Sequence, residues 1–274
     1  MVFFERALTL KNTTILSRLS QRGIALAAAA FFASSTAWAE DESPAVVPYR
    51  PSVATSADLP APGWPELEAG LAWAKGGDAA RSRSTPLLFK LAFEECWGLL
   101  IGTDAYAWQR AEDGSTAHSG GDTTLTLKYK LPVDEHLMLG TELGVALPTA
   151  RPPFGTGKAD WSVNTIASFD YPSVHVDATA LVTHLGAVDA GQGPWQGVWA
   201  ISASHSLDER IGVTGEVSGA VQRGTPAQTQ GLMALTYNVS RALVLDVGVA
   251  KRLSRGGPDW QLLAGMTVQL GHWF

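Results

Sequence analysis

The chain predicts an all-β fold, an antiparallel up-and-down barrel of twelve strands, on three observations. Apolar residues alternate with polar or small ones in segments of about ten residues. The connections between segments alternate between short and long, and aromatic side chains collect at the segment ends. Strands of this length and period, with that loop rhythm, are those of a transmembrane barrel.

Taken in order, residues 1–22 hold Arg6, Lys11, Arg18 and Arg22 against one acid, Glu5. Gly23 to Ala33 is almost wholly apolar, and Ala37-Trp38-Ala39 has the small-x-small spacing of a signal-peptidase site. Residues 1–39 therefore read as a secretory signal cleaved after Ala39, the apolar core being too short for a spanning helix. Its removal takes the formal charge from −6 to −9, which is no footprint for nucleic acid. The single cysteine, Cys96, forms no internal disulfide.

Residues 40–63 (EDESPAVVPYRPSVATSADLPAPG) are rich in proline, serine and acid without periodicity and read as an extended periplasmic lead-in. They could also thread into a lumen. The barrel proper is expected over residues 64–274, with strands near 65–75, 83–93, 96–108, 122–131, 137–147, 160–170, 173–185, 195–206, 210–222, 230–239, 242–253 and 259–274.

Connections after even-numbered strands are tight: Glu94-Glu95 follows the second, and Pro132–His136, Tyr171-Pro172, Leu207–Glu209 and Ser240-Arg241 follow later ones. Those after odd-numbered strands are longer, as at Arg110–Gly121 and Pro148–Lys158. Short turns mark the periplasmic side, and an even strand number puts both termini there. Around Pro132–His136, antiparallel pairing is expected to set Thr126 opposite Glu142 and Lys128 opposite Gly140, so that Lys128 and Glu142 meet diagonally.

Trp73, Trp108, Trp161, Trp195 and Trp260 lie at strand ends beside the long loops. Phe93, Trp97, Tyr129, Phe169, Tyr171, Trp273 and Phe274 lie beside the short turns. Two such girdles are the interfacial anchors of a barrel in outer-membrane lipid. The alternation of Met266, Val268, Leu270, His272 and Phe274 resembles the C-terminal signal recognised by the outer-membrane assembly machinery, with His272 departing from the usual aromatic or aliphatic residue. It predicts a last strand running to Phe274.

A more specific resemblance lies around the third long loop. Leu143-Gly144-Val145-Ala146-Leu147-Pro148-Thr149-Ala150, followed by Gly155-Thr156-Gly157-Lys158-Ala159-Asp160-Trp161, resembles the strand-Pro-Thr, loop, Gly-x-Gly-x-x-Asp pattern of a transporter-like outer-membrane family named for the meta-pathway of phenol degradation. Ala150 stands where that pattern has glycine. The resemblance implies movement of small aromatic or hydrophobic compounds and fixes no substrate.

Charges at membrane depth must face water or one another. Glu68, Lys90, Asp104, Lys128, Lys130, Glu142, Asp177, Glu216, Asp246 and Arg252 are therefore assigned to the lumen. They serve either as a selectivity lining or as a salt-bridged filling, and twelve strands lie between filled and open barrels. No catalytic residue is assigned: in Ser202-Ala203-Ser204-His205-Ser206 alternation turns His205 away from the serines. The scattered histidines suggest no metal site, Gly155–Lys158 lacks the spacing of a phosphate loop, and no cofactor is expected. Two readings follow: a channel or transporter-like barrel for passive passage of small solutes, or a closed structural or binding barrel whose external loops are its working surface.

Overall fold

The computed structural model describes residues 43–77 and 79–274, so the signal sequence and its cleavage site lie outside the described residues. Thirteen strands follow in chain order: β1 (Glu66–Lys75), β2 (Arg81–Ala92), β3 (Trp97–Arg110), β4 (Thr116–Ser119), β5 (Thr123–Pro132), β6 (Leu137–Leu147), β7 (Asp160–Asp170), β8 (His175–His184), β9 (Trp195–Ser206), β10 (Ile211–Gln222), β11 (Gln228–Ser240), β12 (Leu243–Arg252) and β13 (Trp260–Gln269). Twelve of them form the barrel. Each pairs antiparallel with its neighbour, and β13 closes on β1 from Glu66↔Gln269 to Lys75↔Trp260. Closure satisfies the edges that an open sheet would leave unpaired.

The short β4 is an addition. It pairs only with the top of β3, Ala107↔Ser119 to Arg110↔Thr116, and turns the expected loop 110–121 into a hairpin extension. β2 carries Pro86, which has no N–H to give, and the β2–β3 register shifts between Ser84 and Pro86.

Side chains alternate as in a barrel turned inside out. Leu143, Val163, Ile201, Met233 and Val247 are exposed on the outer face, whereas Lys90, Lys128, Glu68 and Thr267 are fully buried within. Three of the short connections share one construction. Phe93, Val133 and Leu207 donate N–H to the carbonyls of Trp97, Leu137 and Ile211, four residues on. In two of them an aspartate completes the turn: Asp134 accepts from the N–H of His136 and Leu137, and Asp208 from those of Arg210 and Ile211.

Two expectations are corrected. β13 ends at Gln269, not Phe274. Leu270 still donates to the Pro65 carbonyl, but Gly271 then takes φ 88°, and the chain turns so that His272 stacks on Trp64 and Trp273 donates to the Gly63 carbonyl. The β5–β6 register differs by two residues from that expected: Pro132 pairs with Met138, so Lys128 stands directly opposite Glu142 and Thr126 opposite Gly144. The Asp134-capped turn is what sets this register.

Candidate functional site: an occupied barrel interior

The segment read as an extended lead-in folds into the barrel, with Val46 bonded to Arg241 and Gly63 to Ala92 at the short-turn end. Residues 49–57 are buried without interruption, and Pro and Ser keep them extended with free N–H groups that the wall must satisfy. The wall does so mainly with carboxylates. Glu66 accepts from Val47 N–H at 3.0 Å and Glu68 from Tyr49 N–H at 2.7 Å. Glu216 takes the N–H groups of both Val53 and Ala54 on one oxygen, at 2.7 and 2.9 Å. Thr179 accepts from Thr55, and Ser168, itself bonded to Asp177, accepts from Ala57.

Tyr49 anchors the segment nearest the short turns. Its ring lies between two lysines, Lys90 and Lys128, each Nζ 4.2 Å from the centroid. Lys90 is paired with Glu66 at 2.8 Å and Glu68 at 2.7 Å, and also donates to the Val47 carbonyl. Lys128 reaches Glu142 at 3.2 Å, the Tyr49 hydroxyl at 2.9 Å and the Ser56 carbonyl at 2.5 Å. Asn164 donates to the second Glu142 oxygen, and Lys130 pairs with Asp58 of the inserted segment at 2.7 Å.

Arg50, the next residue, turns to the wall formed by β12, β13 and β1 and sits in a notch made by two glycines. Gly70 of β1 and Gly265 of β13 pair with each other, and a Cβ on either would run into the Arg50 guanidinium. From there Arg50 reaches Asp246 at 3.3 Å and the Ala264 carbonyl at 3.1 Å. Gly140 likewise makes room for Ala57 and Gly98 for Leu59.

The lumen candidates thus fall into three groups. Glu68, Lys90, Lys128, Lys130, Glu216 and Asp246 contact the inserted segment directly, and Glu142 acts through its pair with Lys128. Asp177 acts through Ser168 and is also bonded to His175 at 3.0 Å. Asp104 stands nearer the long loops, and Arg252 pairs with Asp259 at 2.5 Å at that end. Glu66, Tyr49, Arg50 and Asp58 were not among the candidates. Glu66 was within reach of the sequence, since it shares the Glu68 face of β1, but the other three belong to a segment with no periodicity to read.

Beyond the insert, toward the long loops, the barrel opens into a cavity of about 670 Å³. Gln196, Gln222, Gln228, Asp189, Arg252 and Arg255 are among its lining residues. Trp161, His184 and Trp195 form one cross-strand row beside the long loops, and Trp97 packs on Tyr129 beside the short turns. Phe89 packs on Trp273, Phe274 is exposed, and Met266 and Val268 alternate with the buried Thr267 on β13. Among the described residues no group of three or more His, Cys, Asp or Glu side chains could hold a metal ion. Ser202 is buried on the inner face, while His205 is exposed outside with its ring against the Ser173 carbonyl.

A search of curated protein sequences finds no significant match. Among solved structures, the barrel is similar to an outer membrane channel from Pseudomonas putida F1, at TM-score 0.63 and 11% identity, covering 78% of this chain and 97% of that one. It is also similar to the KdgM porin (TM-score 0.53, 11% identity, 75% of this chain and 99% of that one) and to the NanC porin (TM-score 0.53, 8% identity, 75% and 100%). At these identities the likeness is one of fold, that of a porin-like outer-membrane barrel. Residues 97–270 match the family model described as "Putative MetA-pathway of phenol degradation", and the chain belongs to that family of outer-membrane β-barrels.

Proposed function

We propose that this barrel passes small uncharged solutes, of the aromatic or hydrophobic kind, and that residues 44–60 keep its lumen closed to free ion flow. The carrying observation is the occupied interior. Seven lumen charges are spent on the inserted segment and on one another, so they are not offered to a stream of hydrated ions. The cavity beyond the insert gives a solute room to collect.

In this reading both termini and the short turns are periplasmic, the long loops are external, and the signal sequence is removed after Ala39. Trp73, Trp97, Trp108, Tyr129, Trp161, Trp195, Trp260, Trp273 and Phe274 anchor the barrel at the two lipid–water interfaces. Met266, Val268, Leu270 and Phe274 serve the assembly machinery.

The test compares residues 40–274 with the same protein lacking residues 43–60, both refolded into bilayers. The intact barrel should show low conductance and admit an uncharged phenol into liposomes faster than a sugar of similar mass. The shortened barrel should give large, steady, cation-preferring steps. If the intact barrel admits neither solute, the channel reading fails and the closed structural barrel, which the occupied lumen also favours, replaces it.

A further inference from the structure

The outer face of the barrel carries a cationic row that the lumen argument does not use. Cross-strand pairing sets Lys251, Trp260, Lys75, Arg81 and Arg110 side by side over β12, β13, β1, β2 and β3, at the strand ends beside the long loops. All five are exposed. With neighbouring strands about 4.8 Å apart, the row is about 19 Å long. Two residues deeper, the same strands give a second row, Val249, Leu262, Trp73, Arg83 and Trp108, in which the Arg83 guanidinium lies 5.3 Å from the Trp108 ring centroid.

This arrangement is costly in the isolated protein. Lys75 stands directly opposite Arg81, and Arg81 directly opposite Arg110; like charges so placed repel. Among the described residues, none of Lys75, Arg81, Arg83, Arg110 and Lys251 forms a salt bridge. The nearby Asp259 is turned to Arg252, and Asp113 of the adjoining loop accepts from Ser115. Nor is the row a general feature of this rim. The equivalent stretch across the barrel reads Leu125, Val145, Trp161, His184, Trp195, without a lysine or arginine.

We infer that this patch is a binding site for a membrane lipid with a multiply phosphorylated headgroup, seated from the lipid side. Cations at the rim, tryptophans one step below and the exposed Val247 and Leu71 below those match the depth order of phosphate, interface and acyl chain. The length of the row calls for more than one phosphate, and Arg forks bind phosphate oxygens in pairs. Placing this lipid in the external leaflet rests on the orientation proposed above; the site itself does not.

The test measures lipid retained by the full barrel, using nanodiscs of phosphatidylcholine doped with lipid A (two phosphates), its monophosphorylated form or phosphatidylglycerol. Lipid A should bind most tightly, its monophosphorylated form less so, and added salt should weaken both. Lys75→Gln, Arg81→Gln and Arg110→Gln together should lower lipid A affinity at least about tenfold, with Lys158→Gln on the opposite side of the same rim without effect. Folding of each variant is read independently from heat-dependent gel mobility. Should the triple variant not fold, the wild-type ranking of the three lipids and its salt dependence still decide. Equal retention of all three lipids, unchanged binding by a folded triple variant, or equally tight binding of inorganic phosphate to the detergent-solubilised barrel would overturn the assignment.

Discussion

Lys128 and Glu142 face each other across β5 and β6 inside the barrel, Nζ to Oε1 at 3.2 Å, with the lysine completely buried. Removing one partner of such a buried pair leaves the other charge without its complement, which costs about 3–5 kcal/mol. Glu142→Leu should therefore lower the unfolding free energy of the vesicle-inserted barrel by about that amount. Adding Lys128→Met to it should recover part of the loss. Urea titration of the two single variants and the double variant gives the coupling directly, and simple additivity would mean that the pair does not act as one.

Glu216 holds the insert from the other side of the lumen, one carboxylate oxygen taking the N–H of Val53 and of Ala54. Hydrogen bonds to a charged group contribute about 1.5–3 kcal/mol. With Cys96→Ser as background, a cysteine at Ala54, a residue 2% exposed, should react slowly with a small water-soluble thiol reagent. Glu216→Ala should speed that reaction by at least about tenfold. An unchanged rate would show that the insert is held without this carboxylate.

How far such relationships were legible in the sequence depends on whether the residues belong to a periodic element. The alternation Leu125, Leu127, Tyr129, Leu131 against Thr124, Thr126, Lys128, Lys130 fixes faces, so a charge such as Lys128 can be assigned a face without knowing its partners. Register was harder. It depends on the Asp134 turn, whose side-chain hydrogen bonds no period reveals, and a two-residue difference there turned a diagonal contact into a direct one. The partners themselves were least legible. Tyr49, Arg50 and Asp58 sit in a stretch without pattern, and their places are set by residues from about 20 to nearly 200 positions away. The terminal alternation misled for a related reason: Gly271 at φ 88° breaks the strand while the apolar pattern continues past it.

Gly265 and Arg50 provide a test of close approach. A side chain at Gly265 would occupy the guanidinium's place against the wall, so Gly265→Val should cost about 1–3 kcal/mol through overpacking. It should also expose the inserted segment to protease. In an Arg50→Ala background the same substitution should cost much less, since its obstacle is gone. Equal costs in both backgrounds would place the strain in the strand and not at Arg50.

The two aspartate turns give a pH dependence whose sign follows from their hydrogen bonds. Asp134 and Asp208 each accept two backbone N–H groups, which hold both carboxyls below the ordinary aspartate value. The unfolded chain binds its proton near the ordinary value of about 3.9. The turns are therefore fully stabilised above that pH and lose this support as pH falls through the lower value of the folded state. In micelles, the Leu137 and Ile211 amide resonances should titrate with midpoints below about 3.9. Asp208→Ala should abolish the transition at Ile211 and leave that at Leu137 in place. A midpoint at or above the ordinary value would mean that the carboxylates do not hold these turns.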